Sequence, residues 1–215
     1  MVKFMKIYKN FNLKKKHKSS IILIGNFDGV HLGHRKLFNL AKKYKKKYKL
    51  NIGVVGFDPM PKMFFNKSLN NFRLSSRSQK INLLEKLEVD FIITKKFDKT
   101  FSKIKSFNFI KQVLYNKLNA RFIFVSNNFR FGNKREGDVK LLISYEESYN
   151  YKVIKPKPLI KSHKIVSSTL IRNFLEKGFL NKANKLLNRK WCVEGIVQKG
   201  RQVGKKMGFP TCNID

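Results

Sequence analysis

Two histidines three residues apart, His31 and His34, close the string Gly25-Asn-Phe-Asp-Gly-Val-His-Leu-Gly-His34, and the whole 215-residue chain has only 4 histidines. The apolar run Ile21 to Ile24 leads into the string and ends on glycine, as a buried parallel strand does before a tight turn. A helix is predicted to open near Gly33. In an open parallel sheet, ligands gather at the carboxyl ends of strands, where the free N–H groups of the following helix point at anions. His31 and His34 would lie on one side of that helix turn, and Gly33 would let a phosphate approach the backbone. Imidazoles so placed can donate hydrogen bonds to a nucleotide triphosphate and to charge building up at its α-phosphorus. The competing readings are a pair of capping or surface histidines, and zinc, for which no third ligand is evident.

The elements that must hold these residues follow from the hydrophobic pattern. Leu37, Leu40, Ala41, Tyr44 and Tyr48 recur at helical spacing, and Lys42, Lys43 and Lys45 to Lys47 fall mostly on the other, solvated face. Asn51 to Phe57 predicts a second buried strand, and Ser76 with Gln79 forms a capping box for a helix through Leu87. Further strands are predicted at Asp90 to Thr94, Arg121 to Val125 and Tyr151 to Ile154, with helices from Ser106 to Tyr115 and from Asp138 to Tyr149. Five strands alternating with helices imply an α/β fold, a doubly wound parallel sheet covered on both faces. After Pro156 and Pro158, Ser167 to Arg172 looks like a capped helix start with Gly178 as its stop, and a short helix follows through Leu187. Residues 1–187 are expected to form one domain. Residues 188–215 alternate like a strand from Trp191 to Gln198, are then broken by glycines, and are too few to bury a core alone, so they are expected to be the start of a second domain.

A hydrophobic content of 42% is ample for a core and excludes a disordered tail protein. The net charge of +35 would attract nucleic acid, anionic lipid and phosphorylated ligands alike. Lysine, however, far outnumbers arginine, and Asn, Ile and Phe are abundant, as AT-rich coding favours. Arginine, the better reader of bases and phosphates, is scarce, so no specific nucleic-acid partner is expected. No apolar run reaches the roughly 20 residues of a membrane span. The basic N-terminus lacks the apolar stretch of a signal peptide, and Cys192 and Cys212 cannot make a disulfide framework. A cytoplasmic protein is expected. The sequence assigns no oligomeric state.

His31-Leu-Gly-His34 resembles the HxGH signature of the nucleotidyltransferases, and GNFDGVHLGH is similar to the bacterial bifunctional riboflavin kinase/FAD synthetases in particular. Phe57-Asp-Pro-Met-Pro61, Arg73-Leu-Ser with Lys80, Phe129-Arg-Phe-Gly132 with Gly137-Asp138, and Ser167-Ser-Thr-Leu-Ile-Arg172 agree in order, so the resemblance spans essentially the whole chain. It implies a Rossmann-like domain that transfers AMP from ATP to the phosphate of FMN, giving FAD and pyrophosphate, with Mg2+ accompanying ATP and no residue identifying itself as its ligand. It implies further that His31, His34 and Arg172 serve catalysis. Gly25, Asn26, Asp28 and Gly33 would line the nucleotide pocket, and Ser167, Ser168 and Thr169 would grip the phosphates; hydroxyls and free N–H groups at a helix start, backed by a guanidinium, do make an anion site. Asn128, Phe129 and Arg130 would form a flavin-side wall. Ser126 stands where the family usually has Gly, Asn128 where it has Asp, and Met60 where a His is common. The amide of Asn128 still donates and accepts, but any role needing a carboxylate is lost.

Gly208-Phe-Pro-Thr-Cys-Asn213 is similar to the G-x-P-T-x-N motif of the riboflavin kinase module, which implies that Thr211 and Asn213 would meet magnesium and ATP phosphates there. About two dozen residues cannot close a β-barrel, so this polypeptide by itself is expected to lack kinase activity. The alternatives are an HxGH transferase with another phosphate acceptor, a basic nucleic-acid-binding protein, and a decayed remnant. An aminoacyl-tRNA synthetase is disfavoured, because its lysine-serine motif is missing.

Overall fold

Lys6–Tyr8 (β1), Ile21–Ile24 (β2), Ile52–Asp58 (β3), Phe91–Lys96 (β4), Phe122–Phe124 (β5) and Lys152–Ile154 (β6) form one six-stranded sheet in the order β1-β4-β3-β2-β5-β6. Every pairing in it is parallel. The computed structural model describes residues 5–69, 72–198, 200, 203–209 and 213–214. Side chains alternate along the strands and divide between two cores. Ile22, Ile24, Val55, Ile93 and Ile123 pack with Phe109, Ile110, Val113 and Leu114 on one face. Ile21, Leu23, Val54, Ile92 and Phe124 pack with Leu37, Phe38, Ala41 and Leu84 on the other. The predicted doubly wound α/β architecture is therefore present.

The helices supplying these layers start where the sequence places them. Helix α1, Leu32–Tyr48, is capped by His31, and α2, Arg77–Glu85, carries the complete Ser76–Gln79 capping box. Helix α3, Ser106–Asn108, runs on as a wider coil over Phe109–Lys117. Helix α4 spans Val139–Ser144, with Asp138 accepting from the Leu141 amide. It stops short of the predicted Tyr149, and the Glu146 carboxylate just beyond it accepts from Val153 N–H at 2.7 Å and pairs with Lys152 at 2.9 Å. Those bonds tie the chain to edge strand β6 instead of prolonging the helix. Strand β1 has no counterpart in the hydrophobic pattern. Its three residues carry no apolar alternation, and its place comes from pairing with β4 across some 80 residues of chain.

Helices α5, Ser168–Glu176, and α6, Leu180–Leu187, build a third small core from Val166, Ile171, Ala183, Leu186 and Leu187 with Leu74. Gly178 sits at φ 73°, the left-handed stop expected after α5. Beyond α6, strand pairing among the described residues is confined to Val197–Gln198 against Asn213–Ile214, so most of the predicted Trp191–Gln198 strand is unpaired. Trp191 instead turns back to the body, its indole N–H donating to Leu74 C=O at 3.0 Å.

Candidate active site

The sheet order reverses at β2, because β3 and β4 follow it to one side while β5 and β6 lie on the other. That reversal opens a crevice at the carboxyl ends of β2 and β5. A cavity of about 410 Å³ sits there, lined by His31, His34, Ser126, Asn128, Ser167 and Ser168 among others. Both histidines of the motif face this one cavity together with the serines that follow 130 residues later.

The turn that delivers the histidines is backbone-strained. Phe27, Gly29 and Val30 all adopt positive φ, at 47°, 74° and 41°. A single carboxylate fastens it: Asp28, 5% exposed, accepts from the Leu74 N–H at 3.0 Å and from the Ser75 N–H at 3.3 Å. Arg172 completes the anchor, pairing with Asp28 at 2.5 Å, donating from Nε to Phe72 C=O at 2.7 Å and stacking 3.7 Å over the Phe72 ring. Ser168 donates to Asp28 C=O at 3.0 Å, and Arg189 donates to Gly29 C=O at 2.7 Å. Helix α5 and the chain after α6 are thus tied directly to the histidine turn.

The two rings stack, with centroids 3.6 Å apart and planes 20° from parallel. His31 Nδ1 accepts from the His34 N–H at 3.3 Å, so in the neutral ring the proton rests on Nε2, a donor. Burial, then the positive charges of Arg172 and Arg189, lower the His31 pKa to about 4. Burial and His31 push His34 well below the usual histidine range. The site therefore presents neutral imidazoles at pH 7, capable of donating without carrying charge of their own. Among the described residues the His34 Nδ1 and the Asn26 Oδ1 are buried without a hydrogen-bond partner, polar atoms that a ligand could satisfy.

This has a pH consequence. Between about pH 6.5 and 4 the unfolded chain binds a proton at His31 that the folded chain refuses, so stability falls as pH drops through that window, by about 3 kcal/mol from this ring alone. Imidazole NMR signals of His31 and His34 are expected to show no titration midpoint between pH 6 and 8, and urea midpoints to fall steadily from pH 6.5 to pH 4.

The other site residues are distributed as follows. Gly33 is the close-approach position: a Cβ there would stand 3.1 Å from both the His31 ring and the Val166 carbonyl. Ser167 caps α5, accepting from Leu170 N–H, whereas Thr169 is exposed and Asp28 is built into the turn rather than the cavity lining. Arg172 is held by Asp28 and Phe72 in place of projecting freely into the cavity. Asn128 belongs to the histidine cavity, and its neighbours Phe129 and Arg130 line a second one. That second cavity, about 500 Å³, is walled by Phe57, Phe65, Phe97, Phe101 and Phe129. Met60 is buried and lines neither. Asn213 pairs through its backbone with Gln198, and Thr211 lies outside the described residues. Arg189 carries no local signal of a site role, because only the tertiary fold brings the chain just after α6 to Gly29.

The FAD synthetase family model matches residues 13–170, and a riboflavin kinase model matches residues 187–215. The chain belongs to the FAD synthetase family. Among curated relatives of this FAD synthetase family chain, the bifunctional riboflavin kinase/FMN adenylyltransferase of Buchnera aphidicola subsp. Schizaphis graminum is 41% identical over 94% of the chain and 65% of the relative. The protein of the same name from Escherichia coli K12 is 33% identical over 90% of the chain and 62% of the relative. The chain thus spans about two thirds of the length of these relatives. A crystal structure described as a macrolide-efflux protein from Streptococcus pneumoniae superposes with a TM-score of 0.81 at 25% identity, covering 98% of this chain and 68% of that one. No helix among the described residues is long and apolar enough to cross a membrane.

Proposed function

We propose that this chain transfers AMP from ATP to FMN, forming FAD and releasing pyrophosphate. A phosphate oxygen of FMN attacks the α-phosphorus, the bond from that phosphorus to the bridging oxygen of the β-phosphate breaks, and pyrophosphate leaves with the electron pair. No covalent enzyme intermediate is needed, so catalysis rests on positioning and on charge stabilisation. The observation that carries this reading is a pair of cavities divided by one short segment. Ser126 to Asn128 face the stacked histidines, and Phe129 to Gly132 face an aromatic chamber. A triphosphate suits the first cavity and a planar, largely apolar ring the second; the phosphate of FMN would then meet the α-phosphate where the two chambers approach.

In this reading His31 and His34 donate to the phosphates, and Ser167 and Ser168 add hydroxyls and the N-terminal amides of α5. Arg172 acts through Asp28, holding the histidine turn in place. Phe129 and Arg130 serve the flavin, and Asn128 lies on the ATP side. Magnesium would accompany ATP as part of the substrate. Residues 1–187 form the adenylyltransferase domain and residues 188–215 belong to a riboflavin kinase module, supported by the match of residues 187–215 to that family. An ATP-supplied compartment, the cytoplasm, is the setting for this reaction. Incubating the chain with ATP, magnesium and FMN is expected to give FAD and pyrophosphate in equal amounts, read by chromatography and a coupled pyrophosphate assay. Absence of both products across pH 6–8 and low to moderate salt would remove the proposal.

A further inference from the structure

Arginine is scarce in this chain, and the half-buried arginines near the histidine turn are engaged: Arg73 and Arg172 pair with aspartates, and Arg189 donates to the Gly29 carbonyl. Arg35, in the first turns of α1, is the exception. It is half-buried, its Nε is enclosed, and among the described residues its guanidinium makes no hydrogen bond or ion pair. A second guanidinium stands nearby, for burial and then the charge of Arg35 lower the Arg189 pKa. A fork of five donors left bare beside a like charge costs free energy that an anion would recover.

Arg35 lines a groove of about 590 Å³ alongside α1. Arg35, Asn39 and Lys43 recur every fourth residue and so share one helix face along this groove, while Leu40, Leu87 and Pro156 give it an apolar wall. Among the described residues no Asp or Glu lines it, and Glu88, next to Leu87, is already paired with Lys42 at 2.8 Å. The groove is separate from the histidine cavity. Lys36 and Pro156 border both, but His31, His34, Ser167 and Ser168 border only the other. Lys36 Nζ donates to the Lys157 carbonyl at 3.0 Å, which leaves Arg35 and Lys43 to meet a ligand.

A groove of this size holds a small organic molecule, and a guanidinium fork beside an ammonium suits a phosphate. We propose that it is a second ligand site, taking a phosphate monoester with a planar apolar group: the phosphate on Arg35 and Lys43, the ring against Leu40, Leu87 and Pro156. The occupant is distinct from the reacting substrates, and the site stands independently of adenylyl transfer.

Fluorescence titration of the whole 215-residue chain with 1-naphthyl phosphate tests the site without turnover. Wild type is expected to bind this probe about tenfold or more tightly than either 1-naphthol, which lacks the phosphate, or inorganic phosphate, which lacks the ring. Arg35→Met should weaken probe binding by about tenfold or more, the worth of a charge-assisted hydrogen bond. The exposed Lys43→Met should cost about threefold. Asn39→Glu offers a second route: it sets a carboxylate between the two cations and should also cost about tenfold. Neither Arg35→Met nor Asn39→Glu should lower the melting temperature, because one removes an unpaired charge and the other adds pairs four residues apart on α1. His31→Ala should leave probe affinity within about twofold of wild type. Inorganic phosphate or 1-naphthol binding as tightly as the ester overturns the ligand class. Wild-type affinity in both Arg35→Met and Asn39→Glu overturns the site, and so does probe binding lost in His31→Ala but kept in Arg35→Met, which moves the probe to the histidine cavity. FAD formation by the wild type without the probe, measured in parallel, scores the adenylyl-transfer reading separately.

Discussion

Replacing His31 by alanine is expected to lower the rate of FAD formation by about 10²–10³-fold, the usual cost of deleting one preorganised donor to developing phosphoryl or oxyanion charge. Two geometric facts set this size. The ring is 4% exposed, so no water can take over its Nε2 donor without rearrangement. It also stacks on His34 at 3.6 Å, so its loss leaves the second imidazole without a support. The stability effect should be smaller. His31 Nδ1 caps α1 by accepting from His34 N–H, and losing such a cap costs about 1 kcal/mol. Burial of a charged imidazole would no longer oppose folding at low pH, so the variant should also lose part of the acid sensitivity between pH 6.5 and 4. Rates by chromatographic detection of FAD, alongside urea unfolding at pH 7 and pH 5, separate the two effects. A folded His31→Ala chain that forms FAD within threefold of wild type would contradict the role given to the motif.

Asp28→Ala is expected to be the most destabilising single change in the site, by about 3–5 kcal/mol, the cost of removing one member of a buried ion pair. The substitution leaves the Arg172 guanidinium, only 14% exposed, without its carboxylate, and strips the Leu74 and Ser75 amides of their acceptor. A turn with three positive-φ residues in a row of four then loses what holds it. Urea denaturation should show a large fall in midpoint, and FAD formation should drop with it even at temperatures where the chain stays folded. The double change Asp28→Leu with Arg172→Met is the informative control. It removes both charges together, so much of the stability should return, while activity should not, because the histidines lose their register. Full recovery of activity in the double variant would show that the pair serves stability alone.

Local patterning along the chain is enough to set the layers of the fold. Runs such as Ile21 to Ile24, the Ser76–Gln79 capping box and the Ser167 cap are local signals; each forms where the pattern places it, because hydrogen bonds to neighbouring amides and burial of an apolar face decide it within a few residues. The string from Gly25 to His34 likewise carries turn and helix start in ten positions. The partners come from packing. Nothing local in Asp28 distinguishes a pocket carboxylate from a buried anchor; the difference lies in Leu74, Ser75 and Arg172, the last of them 144 positions away. The division of Asn128 from Phe129 between two cavities, the arrival of Arg189 at Gly29 and the pairing of β1 with β4 are of the same kind. Long-range contacts carry no periodicity along the chain, since they are fixed by which surfaces bury one another and which charges must be neutralised once water is excluded.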